Sequence, residues 1–156
     1  MSIEDDINFL SHVPMLRLLG RSALRVLAIG AESRYVHGGE ILFRKGDAAD
    51  SGYVVQEGAF KLTAGSPREN PDSRIMVRAG GLMSELGLIT RTIHPLTASA
   101  AEPSTVIRIP RSLFMKMLES HQDAALKLRD HFASRIDESV HDLAAVRDAF
   151  KKTGVR

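Results

Sequence analysis

Residues 79–90 read Ala79-Gly-Gly-Leu-Met-Ser-Glu-Leu-Gly-Leu-Ile-Thr90, and Arg91-Thr-Ile-His-Pro-Leu-Thr-Ala-Ser-Ala100 follows directly. The two glycines permit backbone angles that other residues avoid. Ser84 is predicted to be a helix N-cap, with Glu85 in the first turn. A glycine-led turn that feeds a short helix leaves backbone N–H groups unpaired and pointing one way. The segment therefore predicts a site for a phosphate or another small anion.

The composition is that of one soluble globular domain. The chain has 156 residues, of which 44% are hydrophobic and 26% charged, and these values are ordinary for a folded domain. No apolar run reaches the about 20 residues of a membrane span, and the acidic N-terminus lacks the layout of a signal peptide. Cysteine is absent, which excludes disulfides and thiol catalysis. We expect a cytoplasmic protein.

The first segment, residues 1–32, is predicted to be helical. Turn signals break its apolar pattern into short helices rather than one long helix. In the last of these helices, Ser22 is the predicted N-cap, Ile29 is expected to face inward, and Gly30 is the predicted end.

The middle segment, residues 33–110, has the pattern of a β-barrel sensor. Short runs rich in β-branched and aromatic residues alternate with glycine turns, which is typical of a sandwich or barrel. The predicted strands are Tyr35–Val36, Ile41–Phe43, Tyr53–Val55, Phe60–Thr63, Arg74–Arg78, Thr97–Ala100 and Thr105–Ile109. Residues 53–63, with Glu57-Gly58 at the turn, are the best candidate for a β-hairpin. The polar run 64–73 is predicted to be an exposed loop.

The last segment, residues 111–156, is predicted to be helical again. Ser112 is expected to cap a short helix, and His121 marks a break. From Ala124 to Phe150 the chain has neither glycine nor proline, and its pattern predicts one long amphipathic helix. Its apolar stripe consists of Leu128, Phe132, Ile136, Val140 and Leu143. The length of the stripe favours a homodimer through this helix, and the alternative is packing on the chain's own barrel.

Several motifs, in order, resemble the cyclic-nucleotide-binding domain of catabolite-activator type regulators. Residues 38–47 (Gly-Gly-Glu to Gly-Asp) and 50–58 (Asp-Ser-Gly-Tyr-Val-Val-Gln-Glu-Gly) are similar to that family's double-hairpin signature. Residues 80–89 resemble its phosphate-binding cassette, and Pro95-Leu-Thr-Ala98 stands where the family has Pro-Arg-Thr-Ala. The resemblance spans roughly residues 8–145. It implies a mainly β fold with flanking helices: a double-stranded β-helix (jelly-roll) barrel, N-terminal helices and a long C-terminal helix.

The resemblance also implies a ligand and the residues that bind it. The ligand would be a cyclic nucleotide, cyclic AMP (cAMP) or cyclic GMP (cGMP), or another small anion. Glu85 would accept a hydrogen bond from the ribose 2′-hydroxyl. Backbone N–H groups of Ser84, Leu86 and Gly87 would face the phosphate. Residues 97 and 98 (Thr-Ala) would line the pocket, although an ordinary strand explains them equally well.

One departure from the family pattern bears directly on ligand binding. The family arginine that pairs with the cyclic phosphate aligns with Leu96, which offers no charge-assisted hydrogen bond. By analogy with truncated buried charge pairs, this loss costs about 2–5 kcal/mol of binding free energy. Arg91 or His94, in the loop before Leu96, is the candidate substitute cation.

Three functions follow as alternatives. The first is a regulatory ligand-sensing domain that transmits ligand state through the C-terminal helix. The second is a degenerate, non-nucleotide-binding scaffold for dimerisation or protein interaction. The third is the sensor fragment of a transcription regulator without its DNA-binding domain, so that this chain alone is not expected to read DNA specifically. We expect no enzymatic activity, no metal site and no cofactor, because no catalytic or metal-binding constellation appears in the sequence.

Overall fold

The computed structural model describes residues 2–65 and 74–134. Within these ranges the α-helices are α1 (Ile3–Leu10), α2 (Arg21–Gly30), α3 (Arg111–Ser120) and α4 (Gln122–Ala133), and two 3-10 helices span Leu16–Leu18 and Glu85–Leu88. The strands are β1 (Glu32–Val36), β2 (Ile41–Phe43), β3 (Ala48–Ala49), β4 (Ser51–Glu57), β5 (Ala59–Thr63), β6 (Ile75–Arg78), β7 (Leu82–Met83), β8 (Thr92–Ile93), β9 (Thr97–Ala100) and β10 (Ser104–Pro110).

The strands form two antiparallel sheets that enclose a barrel core. One sheet has the order β1-β10-β4-β7, the other has the order β2-β9-β5-β6, and β3 pairs with β8 as a short ribbon. Both sheets contribute buried side chains to the space between them: Val36, Leu42, Phe43, Tyr53, Val55, Phe60, Met83, Ala98, Ala100 and Val106. The predicted jelly-roll fold with flanking helices is confirmed.

Strand β4 separates this barrel core from a second, helical core. Tyr53 and Val55 point into the barrel, whereas Val54 between them belongs to the helical core, because successive side chains of a strand point to opposite faces. The helices of both ends of the chain and the 3-10 helix Glu85–Leu88 pack on this outer side. The cassette therefore lies between the barrel and the terminal helices.

The predicted hairpin over residues 53–63 is wrong. Strand β4 pairs with β10 and β7, whereas β5 pairs with β6 and β9, so the chain crosses from one sheet to the other at Gly58. Gly58 has φ +88° and lies directly against Ser104, and the hydroxyl of Ser104 accepts a hydrogen bond from the Ala59 N–H at 3.1 Å. This contact takes the place of the tight strand pairing that a hairpin would need.

The helix boundaries differ from the predictions at two N-termini. Helix α2 begins at Arg21, directly after Gly20, so Ser22 lies inside the helix and does not cap it. Helix α3 begins at Arg111 with Pro110 before it, so Ser112 is not a cap either. Ile29 is 64% exposed rather than inward. The predicted break at His121 is confirmed, because this residue separates α3 from α4.

Two predicted elements lie wholly or partly outside the described residues. Helix α4 ends at Ala133 with Ser134 as its C-cap, so the prediction of one unbroken helix from Ala124 to Phe150 is wrong at this point, and the rest of the predicted helix lies outside the described residues. Most of the predicted polar loop 64–73 lies outside as well. Among the described helices, none combines the length and the apolar character needed to cross a membrane.

Candidate functional site

The cassette folds as a tight turn, a two-residue strand and a single 3-10 turn. Ser84 has a left-handed backbone, with φ 62° and ψ 43°, which is uncommon for a residue other than glycine. An N-cap residue needs an extended backbone, and the side chain of Ser84 makes no capping hydrogen bond. The prediction of a side-chain cap at Ser84 is therefore wrong. Its Oγ atom instead lies 3.2 Å from Nδ1 of His94.

Steric fit holds the far end of the cassette against β4. A Cβ atom on Gly52 would come within 2.7 Å of Cγ of Leu88, and a Cβ atom on Gly87 would come within 2.7 Å of the carbonyl oxygen of Ser51. Leu88 is fully buried, and Ile89 is 2% exposed, both in the helical core. Glycines at these two positions let the cassette approach the strand more closely than any other residue would allow.

His94 is the central polar residue of the site. It is 3% exposed, and its ring stacks on that of Phe43 with centroids 3.8 Å apart and an interplanar angle of 11°. Its backbone is fixed by two hydrogen bonds with the turn at residues 46–47. Burial lowers the pKa of the His94 imidazole below its ordinary value, and the charges of Asp47 and Asp50 offset this in part. The imidazole is therefore neutral near pH 7.

A cavity of about 430 Å³ opens beside the cassette, within the range of small-molecule sites. It is lined by Phe43, Leu62, Ser84, Glu85, Leu86, Gly87, Thr92, Ile93, His94, Pro95 and Leu96. In the described part of the chain, no cluster of histidines, cysteines and carboxylates has a geometry that could hold a metal ion. The cavity thus combines a largely apolar wall with a small polar group around Ser84 and His94.

The structure brings five of the predicted ligand-binding residues together on the cavity wall: Ser84, Glu85, Leu86, Gly87 and Leu96. The other three do not line it. Arg91 is exposed, Thr97 uses its hydroxyl to accept a hydrogen bond from the Lys45 N–H at 2.9 Å, and Ala98 is fully buried in the barrel core.

Sequence reasoning missed several lining residues. Phe43 and Leu62 come from β2 and β5, and both pair with Ala98 of β9. A small residue flanked by two large apolar ones in neighbouring strands leaves space at the barrel mouth, but the pairing is not visible in the sequence. The segment around His94 contributes Thr92, Ile93 and Pro95. The apolar character of this segment was the signal available in the sequence.

Arg111 joins the cassette to the first turn of α3. Its Nη1 atom donates hydrogen bonds to the carbonyl oxygens of Ala49 at 2.8 Å, Thr90 at 3.0 Å and Gly87 at 3.3 Å. Its backbone N–H also donates to the carbonyl of Asp50 at 2.8 Å. The side chain of Arg111, at the start of α3, therefore contacts both the end of the cassette and strand β3.

The described part of the predicted dimer stripe packs within one chain. Leu128 is fully buried and Phe132 is 6% exposed, and both belong to the helical core formed with the N-terminal helices and α3. The other members, Ile136, Val140 and Leu143, lie outside the described residues.

Residues 33–121 match the family model of the cyclic nucleotide-binding domain. Among curated proteins, a lysophospholipase of Pyricularia oryzae is 26% identical over 107 residues, a region that covers 69% of this chain and 7% of that protein. The chain thus spans a small fraction of the length of this relative.

Solved structures share the fold. A cyclic nucleotide-binding-like protein from Brucella abortus is 35% identical with a TM-score of 0.62, over 74% of this chain and 98% of that one. The sensor domain of the transcriptional regulator DNR from Pseudomonas aeruginosa is 19% identical with a TM-score of 0.74, over 88% of this chain and 95% of that one.

Proposed function

Because the chain belongs to the cyclic nucleotide-binding domain family, we propose that it acts as a regulatory small-molecule sensor and not as an enzyme. A ligand enters the cavity beside the cassette and contacts Ser84, Glu85 and His94. The bound state is transmitted to α3 and α4. We propose that the protein acts in the cytoplasm. We divide the chain into a helical support (residues 1–32), the sensor (33–110) and the output helices (111–156).

The contacts of Arg111 carry this proposal. A ligand shifts the equilibrium between two conformations only as far as it binds one of them more tightly than the other. Two sites are coupled when both contact an element that changes its position between these conformations. The carbonyl of Gly87 belongs to the cassette and that of Thr90 follows it directly, and the guanidinium that binds both belongs to the first residue of α3. Any ligand that displaces the cassette therefore changes the hydrogen bonds that fix the start of the output helices.

The test is amide hydrogen exchange in α3 and α4 during titration with cAMP, cGMP, adenosine, guanosine and naphthol. We expect a compound that perturbs the cavity residues to change exchange in both helices. Arg111→Ala should retain the perturbation of the cavity and lose most of the change in the helices. Arg91→Ala, an exposed arginine of the same loop, is the matched control and should behave as wild type. An occupied cavity with unchanged exchange in α3 and α4 would contradict the proposal.

Leu96 favours a second candidate, the interaction scaffold that has lost its ligand. This leucine lines the cavity where the resemblance places the phosphate-binding arginine. Calorimetric titration with cAMP and cGMP, extended to the other compounds above, separates the two functions. Heat from any of them supports the sensor, whereas silence from all of them at millimolar concentration supports the scaffold.

A homodimer through the C-terminal segment remains part of the proposal. Since Leu128 and Phe132 are occupied within one chain, the contact would rest on Ile136, Val140 and Leu143. Light scattering on the wild type and on Val140→Asp tests it: a dimer that becomes a monomer supports the proposal, and a monomeric wild type contradicts it. The sensor-fragment alternative adds that this chain alone does not bind DNA specifically.

A further inference from the structure

The cassette cavity is walled mainly by apolar side chains. Six of its lining residues are aromatic, aliphatic or proline: Phe43, Leu62, Leu86, Ile93, Pro95 and Leu96. Contact between an apolar wall and an apolar ligand surface is favourable, because both surfaces are removed from water. The same wall cannot replace the hydrogen bonds that an anion makes with water. The main body of a matching ligand is therefore apolar.

The polar part of the wall is small and consists mainly of uncharged groups. Ser84 and His94 are joined through Oγ and Nδ1, and Glu85 follows Ser84 directly in the chain. His94 is buried and stacked on Phe43, and burial lowers the pKa of its imidazole. A neutral imidazole offers one N–H and one lone pair, not a positive charge.

His94 has one ring nitrogen to spare for a ligand. Nδ1 is engaged by Ser84, and His94 lines the cavity, so we assign its other ring nitrogen, Nε2, to the ligand. Whether Nε2 donates or accepts depends on the tautomer that Ser84 selects. A hydroxyl group suits both cases, because it donates and accepts.

The acidic and basic residues of the wall point to the same class of ligand. Glu85 is an acidic residue on the wall, and the described lining residues include no lysine or arginine. Arg91, the nearest arginine in the same loop, is exposed and does not line the cavity. An anion placed beside Ser84 would meet Leu96 where the family pattern has a guanidinium.

We propose that the cassette cavity takes an uncharged amphipathic molecule with an apolar ring body and a hydroxyl group, in preference to a phosphate-bearing one. The ring lies against Leu62, Ile93 and Leu96, and the hydroxyl binds at His94 and Ser84. This inference rests on the proposed sensor function and specifies the ligand class for the same cavity.

The test compares matched neutral and anionic probes: adenosine with cAMP, and naphthol with naphthyl phosphate. Binding to the intact chain is followed through the methyl resonances of Leu86, Ile93 and Leu96. The methyls of Ile29 and Ile75, which are exposed and do not line the cavity, report non-specific binding. We expect the neutral member of each pair to bind at least about tenfold more tightly, a difference of about 1.4 kcal/mol.

Leu96→Arg provides the reciprocal test. A guanidinium at this position supplies the partner that a phosphate lacks in the wild type, so we expect the preference to move by at least about tenfold toward cAMP and naphthyl phosphate. The wild-type comparison stands without this variant if the substitution prevents folding.

The outcomes separate the two levels of the proposal. Equal or tighter binding of the phosphate member in both pairs by the wild type would overturn the ligand class and leave the sensor function intact. No shift of the cavity methyls with any of the four probes at millimolar concentration would overturn the sensor function itself.

Discussion

The two sides of the cassette loop are built in different ways. Residues 87–89 are buried against β4 and the helical core, whereas residues 92–96 are partly or fully exposed apart from His94. We call the first stretch the anchored side and the second the cavity side. The anchored side is held by close packing and by hydrogen bonds from Arg111, whereas the cavity side is held by a few polar contacts and one stacked ring. This contrast predicts that substitutions on the anchored side change stability, while those on the cavity side change ligand binding.

The contrast is tested most strongly by Leu88→Ala on the anchored side. Leu88 is fully buried, so the substitution loses buried apolar surface and leaves a cavity, and we expect a loss of about 2–5 kcal/mol of unfolding free energy. Chemical denaturation measures it.

Ile93→Ala on the cavity side is the matched control. Ile93 is 60% exposed, so its truncation should stay within about 0.5 kcal/mol of wild type. Equal losses for the two variants would show that the sides do not differ as the structure indicates.

Arg111→Ala tests how the anchored side is tied to α3. The substitution leaves three carbonyl oxygens without their shared donor, and hydrogen bonds to a charged group contribute about 1.5–3 kcal/mol. We expect a loss in that range together with faster hydrogen exchange at the start of α3. Arg91→Ala should change neither quantity. If Arg111→Ala changes neither the unfolding free energy nor the hydrogen exchange, then Arg111 does not transmit the state of the cassette to α3.

Gly87→Ala tests steric fit on the anchored side. The added methyl would come within 2.7 Å of the backbone oxygen of Ser51, which has little room to move, so we expect a loss of about 1–3 kcal/mol.

Gly38→Ala is the control for this change, because its added methyl meets its nearest atom at 3.6 Å. That substitution should be neutral or stabilise the fold by up to about 1 kcal/mol. A Gly87→Ala variant as stable as Gly38→Ala would mean that the close approach to β4 is not needed.

The anchored side and the overall fold were largely predictable from the sequence. The glycine turns, the apolar runs and the order of the motifs indicated the jelly roll, and the match over residues 33–121 confirms the family resemblance. The local sequence pattern does not specify, however, which strands pair with each other. The run around Gly58 has the composition of a hairpin, but its two strands belong to different sheets. Strands β3, β7 and β8 have two residues each, too short to show a period.

The cavity side was less predictable, because its geometry depends on contacts between distant residues. His94 stands in the sequence as a loop histidine and a candidate cation. The structure stacks it on Phe43 and hydrogen-bonds it to Ser84, and the contact with Phe43 joins β2 to a loop far along the chain. Such a contact leaves no periodic signal. The prediction of His94 as a substitute cation is corrected by its burial, which favours the neutral imidazole.

The smallest expected effect is the pH dependence that His94 adds. Burial lowers the pKa of His94 in the folded state below 6.5, so the unfolded chain takes up a proton more readily than the folded one as pH falls. The stability associated with neutral His94 is complete above pH 6.5 and is lost as pH falls through the folded-state value.

The measurement is the difference in unfolding free energy between wild type and His94→Gln from pH 7.5 down to pH 5. All other ionisable groups are common to the two proteins, so their contributions cancel in this difference. Asp50 does not interfere, because the hydrogen bond from Ser51 lowers its pKa below 3.8, so its contribution changes at more acidic pH. Wild type should lose stability more steeply than His94→Gln across this interval. If the unfolding free energies of the two proteins change in parallel with pH, or if the wild type becomes more stable relative to the variant as pH falls, then His94 is not held neutral on the cavity side.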